Sequence, residues 1–188
     1  GRRDVTFDQM VGYYKEQVDA LIDAGVDLLL PETSFDTLVM KACLFAIDSV
    51  FEERGQRLPV MISGTIFDNL RTLSAQPVDA FYYSVSHFDA LSVGLNCAVG
   101  VDKMRSSIEH LASISKMRIS CYPNAGTPDG FGGFLADKAG SIKILGEFAR
   151  NGWLNIVGGC CGTTPDWIAD IAAAMEDVPP RKVPDLPH

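Results

Sequence analysis

Apolar positions along the chain switch between two periods. Met10, Val11, Tyr14, Val18, Leu21 and Ile22 return every three or four residues. They predict a helix that Thr6 and Gln9 open as a capping box and Gly25 ends. Residues 26–30 then form a short continuous apolar run, a strand by length, ending at Pro31-Glu32. Val39, Met40, Cys43, Leu44, Ile47, Val50 and Phe51 mark a second helix that stops near Gly55. The next strand is expected over 60–66, followed by a helix led by Pro77 through Phe81, Tyr82 and Val85. A strand over 91–96 closes at Cys97, and 101–114 reads as a helix. A strand over 118–122 leads into a Gly- and Pro-rich loop over 124–133. A long helix over 135–150 is stopped by Asn151-Gly152, and 154–157 is the last strand. Thr164 as N-cap and Pro165 at the first helical position start the final helix, over 165–175.

Helices and strands alternate throughout, and the strands are apolar along their whole length. That pattern belongs to a parallel sheet covered by helices, an α/β fold. Five strands are expected, each followed by a helix. Glu32, Ser63, Cys97, Asn124, Cys160 and Cys161 all fall at the C-terminal ends of strands. This one-sidedness is what an active face of a barrel or a doubly wound sheet requires. No Gly-x-Gly-x-x-Gly or phosphate-loop motif follows a strand, which argues against nucleotide binding. Residues 1–178 read as one domain, and 179–188, rich in proline, as an exit linker.

Composition narrows the chemistry. A net charge of −8 disfavours nucleic acid and anionic membrane surfaces as partners. No apolar run is long enough to span a bilayer, and Gly1-Arg2-Arg3-Asp4 leads into no apolar signal segment. Five cysteines without regular spacing do not make a secreted disulfide framework, so a cytoplasmic protein with free or metal-bound thiols is expected.

Three of those cysteines carry the functional signal. Cys160 and Cys161 sit in Gly158-Gly159-Cys160-Cys161-Gly162-Thr163, and Cys97 in Gly94-Leu95-Asn96-Cys97. Adjacent cysteines are poorly placed to bond to each other, because one peptide step of about 3.8 Å is shorter than a disulfide's Cα span. Both can turn toward one soft metal ion if glycines free the backbone. Three thiolates from distant loops describe a three-ligand zinc site with one position open, where a substrate thiol would be held as a thiolate. Each residue also has a plainer reading. Cys97 alone is more often a buried small apolar side chain than a ligand, Glu32 reads equally as a helix-capping residue, and Asn124 could be a turn residue. Cys43 and Cys121 fall on an apolar helix face and inside a strand, and are expected in the core. His87 and His110 are expected in helices, facing solvent or satisfied neighbours.

Taken together, the two cysteine motifs resemble the zinc signature of homocysteine S-methyltransferase domains. Tyr122-Pro123-Asn124-Ala125-Gly126 and Asp27-Leu28-Leu29-Leu30-Pro31-Glu32-Thr33 are similar in particular to the homocysteine-binding module of cobalamin-dependent methionine synthases. The resemblance runs from about Val5 to Lys182. It implies a zinc-dependent (βα)8 TIM barrel that binds homocysteine, with Cys97, Cys160 and Cys161 as zinc ligands. It further implies that Glu32 receives the amino group of homocysteine and that Asn124 stands beside the metal. The methyl donor would be methylcobalamin, carried with folate by separate modules, or a sulfonium or betaine in a simpler relative. Only about five of eight βα units are legible, and the Asp-Gly motif of the family's first strand has no counterpart. The expected architecture is an incomplete barrel lacking its first three units, to be supplied by a partner; the alternative is a non-catalytic half-barrel.

Overall fold

A computed structural model describes residues 4–128, 130–131, 133–135 and 137–185. Six helices are found among them: α1 Phe7–Asp23, α2 Thr37–Arg54, α3 Val78–Val85, α4 Val101–Ile114, α5 Lys138–Arg150 and α6 Pro165–Met175. Strands β1 Met61–Gly64, β2 Ser92–Gly100, β3 Arg118–Asn124 and β6 Ile156–Val157 form one parallel sheet in chain order. Strands β4 Thr127–Pro128 and β5 Phe134–Leu135 make a small antiparallel ladder inside the expected Gly- and Pro-rich loop. Positions 129 and 132 of that loop, 136 of the expected fifth helix, and 186–188 of the expected linker lie outside the described residues.

Local chemistry sets most helix ends. The Thr6 hydroxyl accepts the Gln9 N–H at 3.2 Å while the Gln9 side chain accepts the Thr6 N–H at 2.8 Å, completing the capping box. Asp36 caps α2 through the Leu38 N–H, and Gly55 ends it at φ +61°. Asp137 accepts the Gly140 N–H, so α5 begins three residues later than its apolar pattern suggests. Helices α4 and α6 have the bounds expected from sequence.

The core lies between sheet and helices. Ile62, Val93, Leu95, Ile119 and Cys121 project from the strands onto Phe81, Met104, Ile108, Leu111 and Phe148, all nearly inaccessible. Each such side chain contributes roughly 1.5–3 kcal/mol by leaving water.

All five expected strands change length: 60–66 shortens to Met61–Gly64, 118–122 extends to Asn124, and the other three change as well. Residues 26–30 do not form a strand; Leu29 makes one parallel bridge to Val60, and Ser34 another to Gly64. With pairing on one side only, Leu28 and Leu30 stay 39% and 37% exposed. Among the described residues the sheet is therefore open, with this segment along one edge and β6 at the other. Strand β2, expected to stop at Cys97, runs on to Gly100 through an irregularity after Asn96. Strand β6 shrinks because the Leu154 carbonyl accepts the Arg181 N–H instead of a ladder partner. Arg181 itself is buried, its guanidinium donating to the carbonyls of Ala112, Ser115 and Met117 at the end of α4. No helix among the described residues is long and apolar enough to cross a membrane.

Candidate metal centre

The C-terminal ends of β2, β3 and β6 converge on three thiols. The Sγ atoms of Cys97, Cys160 and Cys161 lie within 4.8 Å of one another, with Cys97 to Cys161 at 3.6 Å and Cys160 to Cys161 at 4.0 Å. A tetrahedral ion with metal–sulfur bonds of about 2.3 Å needs its sulfurs about 3.8 Å apart. The donor set therefore fits a soft divalent ion, which Cys97, Cys160 and Cys161 would hold; Cys161 is exposed.

Strand geometry alone would not bring Cys97 there. Successive strand residues point to opposite faces, so with Asn96 turned to one face Cys97 would turn to the other. Instead Cys97 and Ala98 both take left-handed conformations, φ +64° and +60°, in the irregular stretch between Asn96 and Gly100. Such a bulge re-aims a side chain, at about 1–3 kcal/mol for each strained residue. Around the vicinal pair, Gly162 takes φ +79°, whereas the preceding glycines serve close packing. A Cβ on Gly158 would meet the Tyr122 ring at 2.8 Å. The loop is laced to β3 by Cys160 N–H to Pro123 O at 2.8 Å and Ala125 N–H to Cys161 O at 2.9 Å.

Asn124 is buried beside the cluster, its Oδ1 accepting the Cys161 N–H at 3.2 Å. Glu32 is exposed on the segment after Pro31, next to Thr33, which holds the left-handed φ +57°. Burial first, then the negative charge of Glu32 and the neighbouring Cys121, push the Tyr122 hydroxyl above its ordinary value. A cavity of about 400 Å³ between α1, α2 and the 29–36 segment is edged by Glu32 and Thr33 and by none of the three clustered cysteines. Cys43 and Cys121 are buried in the core as expected, and burial pushes both thiols up to about 12. His110 is exposed on α4; His87 is exposed too, but in the turn after α3 rather than in a helix.

Asn96 and Thr33 stood within the quoted motifs without a role. Asn96 is fully buried; its Oδ1 accepts the Thr33 N–H at 3.1 Å and the Ser63 hydroxyl at 2.7 Å. Its Nδ2 donates to Thr33 Oγ1 at 2.8 Å and to Cys160 Sγ at 3.7 Å. The available signal was a polar amide inside an apolar strand, directly before a ligand-type cysteine.

Comparison with known proteins gives the fold and the family. Two crystal structures of the homocysteine methyltransferase MmuM from Escherichia coli share the fold. The apo form superposes with a TM-score of 0.71 at 21% identity, over 92% of this chain and 58% of that one. The metallated form gives 0.70 at 22% identity, over 92% and 54%. This chain thus spans little more than half the length of those enzymes. Residues 1–175 match the sequence profile described as homocysteine S-methyltransferase. The chain belongs to the homocysteine S-methyltransferase family.

Proposed function

We propose that this chain is the zinc-binding part of a methyltransferase that activates the thiol of homocysteine for methyl transfer, giving methionine. The observation that carries the reading is the convergence of three thiols, from two strand ends far apart in sequence, at metal-site spacing. The chemistry that zinc supplies when bound is acidification of a coordinated thiol, so that the substrate sulfur is a thiolate at neutral pH. Family membership and the existence of a metallated relative support the same assignment.

The protein's own residues do the rest. Cys97, Cys160 and Cys161 would hold the ion, which would take the substrate thiol as a further ligand. Glu32, exposed at the strand-end segment, offers a carboxylate to the substrate ammonium, and Thr33 connects that arm to the cluster through Asn96. Asn124 stands beside the cluster and keeps the Cys161 backbone in place. In the transfer, sulfur forms the S–CH3 bond as the donor–CH3 bond breaks. The electron pair of that bond leaves with the donor, and the thiol proton has already gone to solvent. The donor we favour is methylcobalamin on a separate module; a sulfonium or betaine donor is the alternative.

Partner strand–helix units closing the barrel are also part of this reading. Leu28 and Leu30 are exposed along the sheet edge, and an open edge invites pairing. Thiols this close together stay reduced in the cytoplasm, where we place the protein. The test is calorimetric titration of homocysteine into zinc-loaded and chelator-treated protein, followed by turnover with each donor. Zinc-dependent binding of homocysteine is expected. Binding that is equal with and without zinc would reject the assignment. Turnover that appears only with co-expressed partner strands would favour the half-barrel reading over an autonomous enzyme.

A further inference from the structure

Asn96 is committed at every position its amide offers. An asparagine side chain has two acceptor sites on oxygen and two N–H donors. Here the oxygen takes Thr33 N–H and Ser63 Oγ–H, and the nitrogen gives to Thr33 Oγ1 and Cys160 Sγ. The orientation of the amide is not interchangeable. The Thr33 backbone N–H can only donate, so it must face the oxygen, and the NH2 group must then face sulfur.

We infer that Asn96 is the positioning residue of the thiol site, one amide that orients Cys160 Sγ and at the same time pins the Glu32–Thr33 arm. The inference rests on the reading of the three thiols as a metal site. An N–H donated to a metal-bound thiolate fixes which lone pair of sulfur faces the ion and draws charge from it. The second half of the role is conformational. Thr33 is β-branched, and φ +57° is unfavourable for such a residue. Its N–H and its hydroxyl are both tied to Asn96, which offsets that strain and holds the segment that carries Glu32. Asn96 itself has no access to solvent, so its amide is given entirely to these partners. Metal affinity and recognition of an amino group are therefore coupled through one side chain that touches neither substrate nor ion.

The experiment compares wild type, Asn96→Ala and Ser63→Ala for zinc affinity, by chelator competition, and for the thiolate-to-metal charge-transfer band of the cobalt(II) form. Asn96→Ala is expected to weaken zinc by about 10–100-fold and to shift the band to lower energy, because the sulfur regains charge. Ser63→Ala frees the acceptor side of the amide only, so it should cost less affinity and leave the band in place. Wild-type affinity and band in Asn96→Ala, or equal effects of the two variants, would overturn the inference. Should Asn96→Ala not fold, the wild-type chain loaded with cadmium-113 and labelled with 15N-asparagine decides. The chain has five asparagines, and a coupling between cadmium and the Asn96 amide protons is expected. Its absence would overturn the role. A wild-type chain that takes up zinc but shows no such dependence loses this inference alone. One that takes up no metal loses the metal reading as well.

Discussion

Cys121 and Cys161 lie on neighbouring stretches of structure, yet their surroundings differ in nearly every respect. Cys121 is fully inaccessible in the middle of β3, its Sγ 3.9 Å from Met104 Sδ, among apolar side chains. Cys43 is similarly buried on α2. Burial penalises the thiolate and pushes both up to about 12, so at neutral pH they are small apolar groups. Cys161 is exposed on a loop fastened to the end of β3, within reach of two other sulfurs. The difference teaches that cysteine chemistry here is decided by position along the strand. Mid-strand Cys121 meets the helix layer, whereas the irregular end of β2 and the loop after β6 bring Cys97, Cys160 and Cys161 to one another.

The strongest test of this contrast is removal of the vicinal pair. Zinc content, measured by mass spectrometry of the purified chain, should fall from about one ion to none in the Cys160→Ala, Cys161→Ala double variant. Zinc retained at full stoichiometry would break the comparison outright.

Alkaline titration examines the buried side. A thiol whose folded pKa is raised contributes stability that is complete below its unfolded value of about 9 and is lost as pH climbs toward 12. Between those limits each buried thiol should cost up to about 1.4 kcal/mol per pH unit. Urea midpoints at pH 8 and pH 10.5 should therefore diverge less in Cys121→Ala than in wild type. An identical divergence would mean that Cys121 does not behave as a buried thiol.

Glu32→Gln separates substrate recognition from metal binding. A charge-assisted hydrogen bond is worth roughly 1.5–3 kcal/mol, so homocysteine should bind about tenfold more weakly or worse while zinc is unaffected. Equal losses for homocysteine and for a simple thiol without an amino group would remove Glu32 from the site. The smallest effect is expected for Cys43→Ser. Zinc content should not change, and stability should drop by about 1–3 kcal/mol, from an under-satisfied hydroxyl on the apolar face. Loss of zinc in this variant would blur the distinction between the two cysteine classes.

Much of this contrast was legible along the chain. Residues 101–114 and 165–175 became helices with those limits, because periodic apolar residues and a Thr-Pro start act within a few residues of themselves. The convergence of Cys97 with Cys160 and Cys161 followed from motif and strand-end placement, and the fold brings their sulfurs together.

Amino-acid order by itself determined the positions of the helices, the capping box of α1 and the core positions of Cys43 and Cys121, since each depends on local pattern and hydrophobicity. Tertiary structure alone decided the rest. An apolar run at 26–30 becomes a strand only if it pairs continuously along its length, and here it makes a single bridge, Leu29 to Val60. The left-handed turn at Cys97 and Ala98, which reverses the expected facing of a ligand, follows from how β2 must meet β3 at Gly100 and Asn124. Arg181, in a segment whose composition reads as linker, is buried because its guanidinium donates to the Ala112, Ser115 and Met117 carbonyls at and just after the end of α4. The direction of the Asn96 amide is fixed by Thr33, 63 positions earlier in the chain. Hydrogen bonds between groups so distant in sequence have no local signature, and geometry assigns them only once the strands stand side by side.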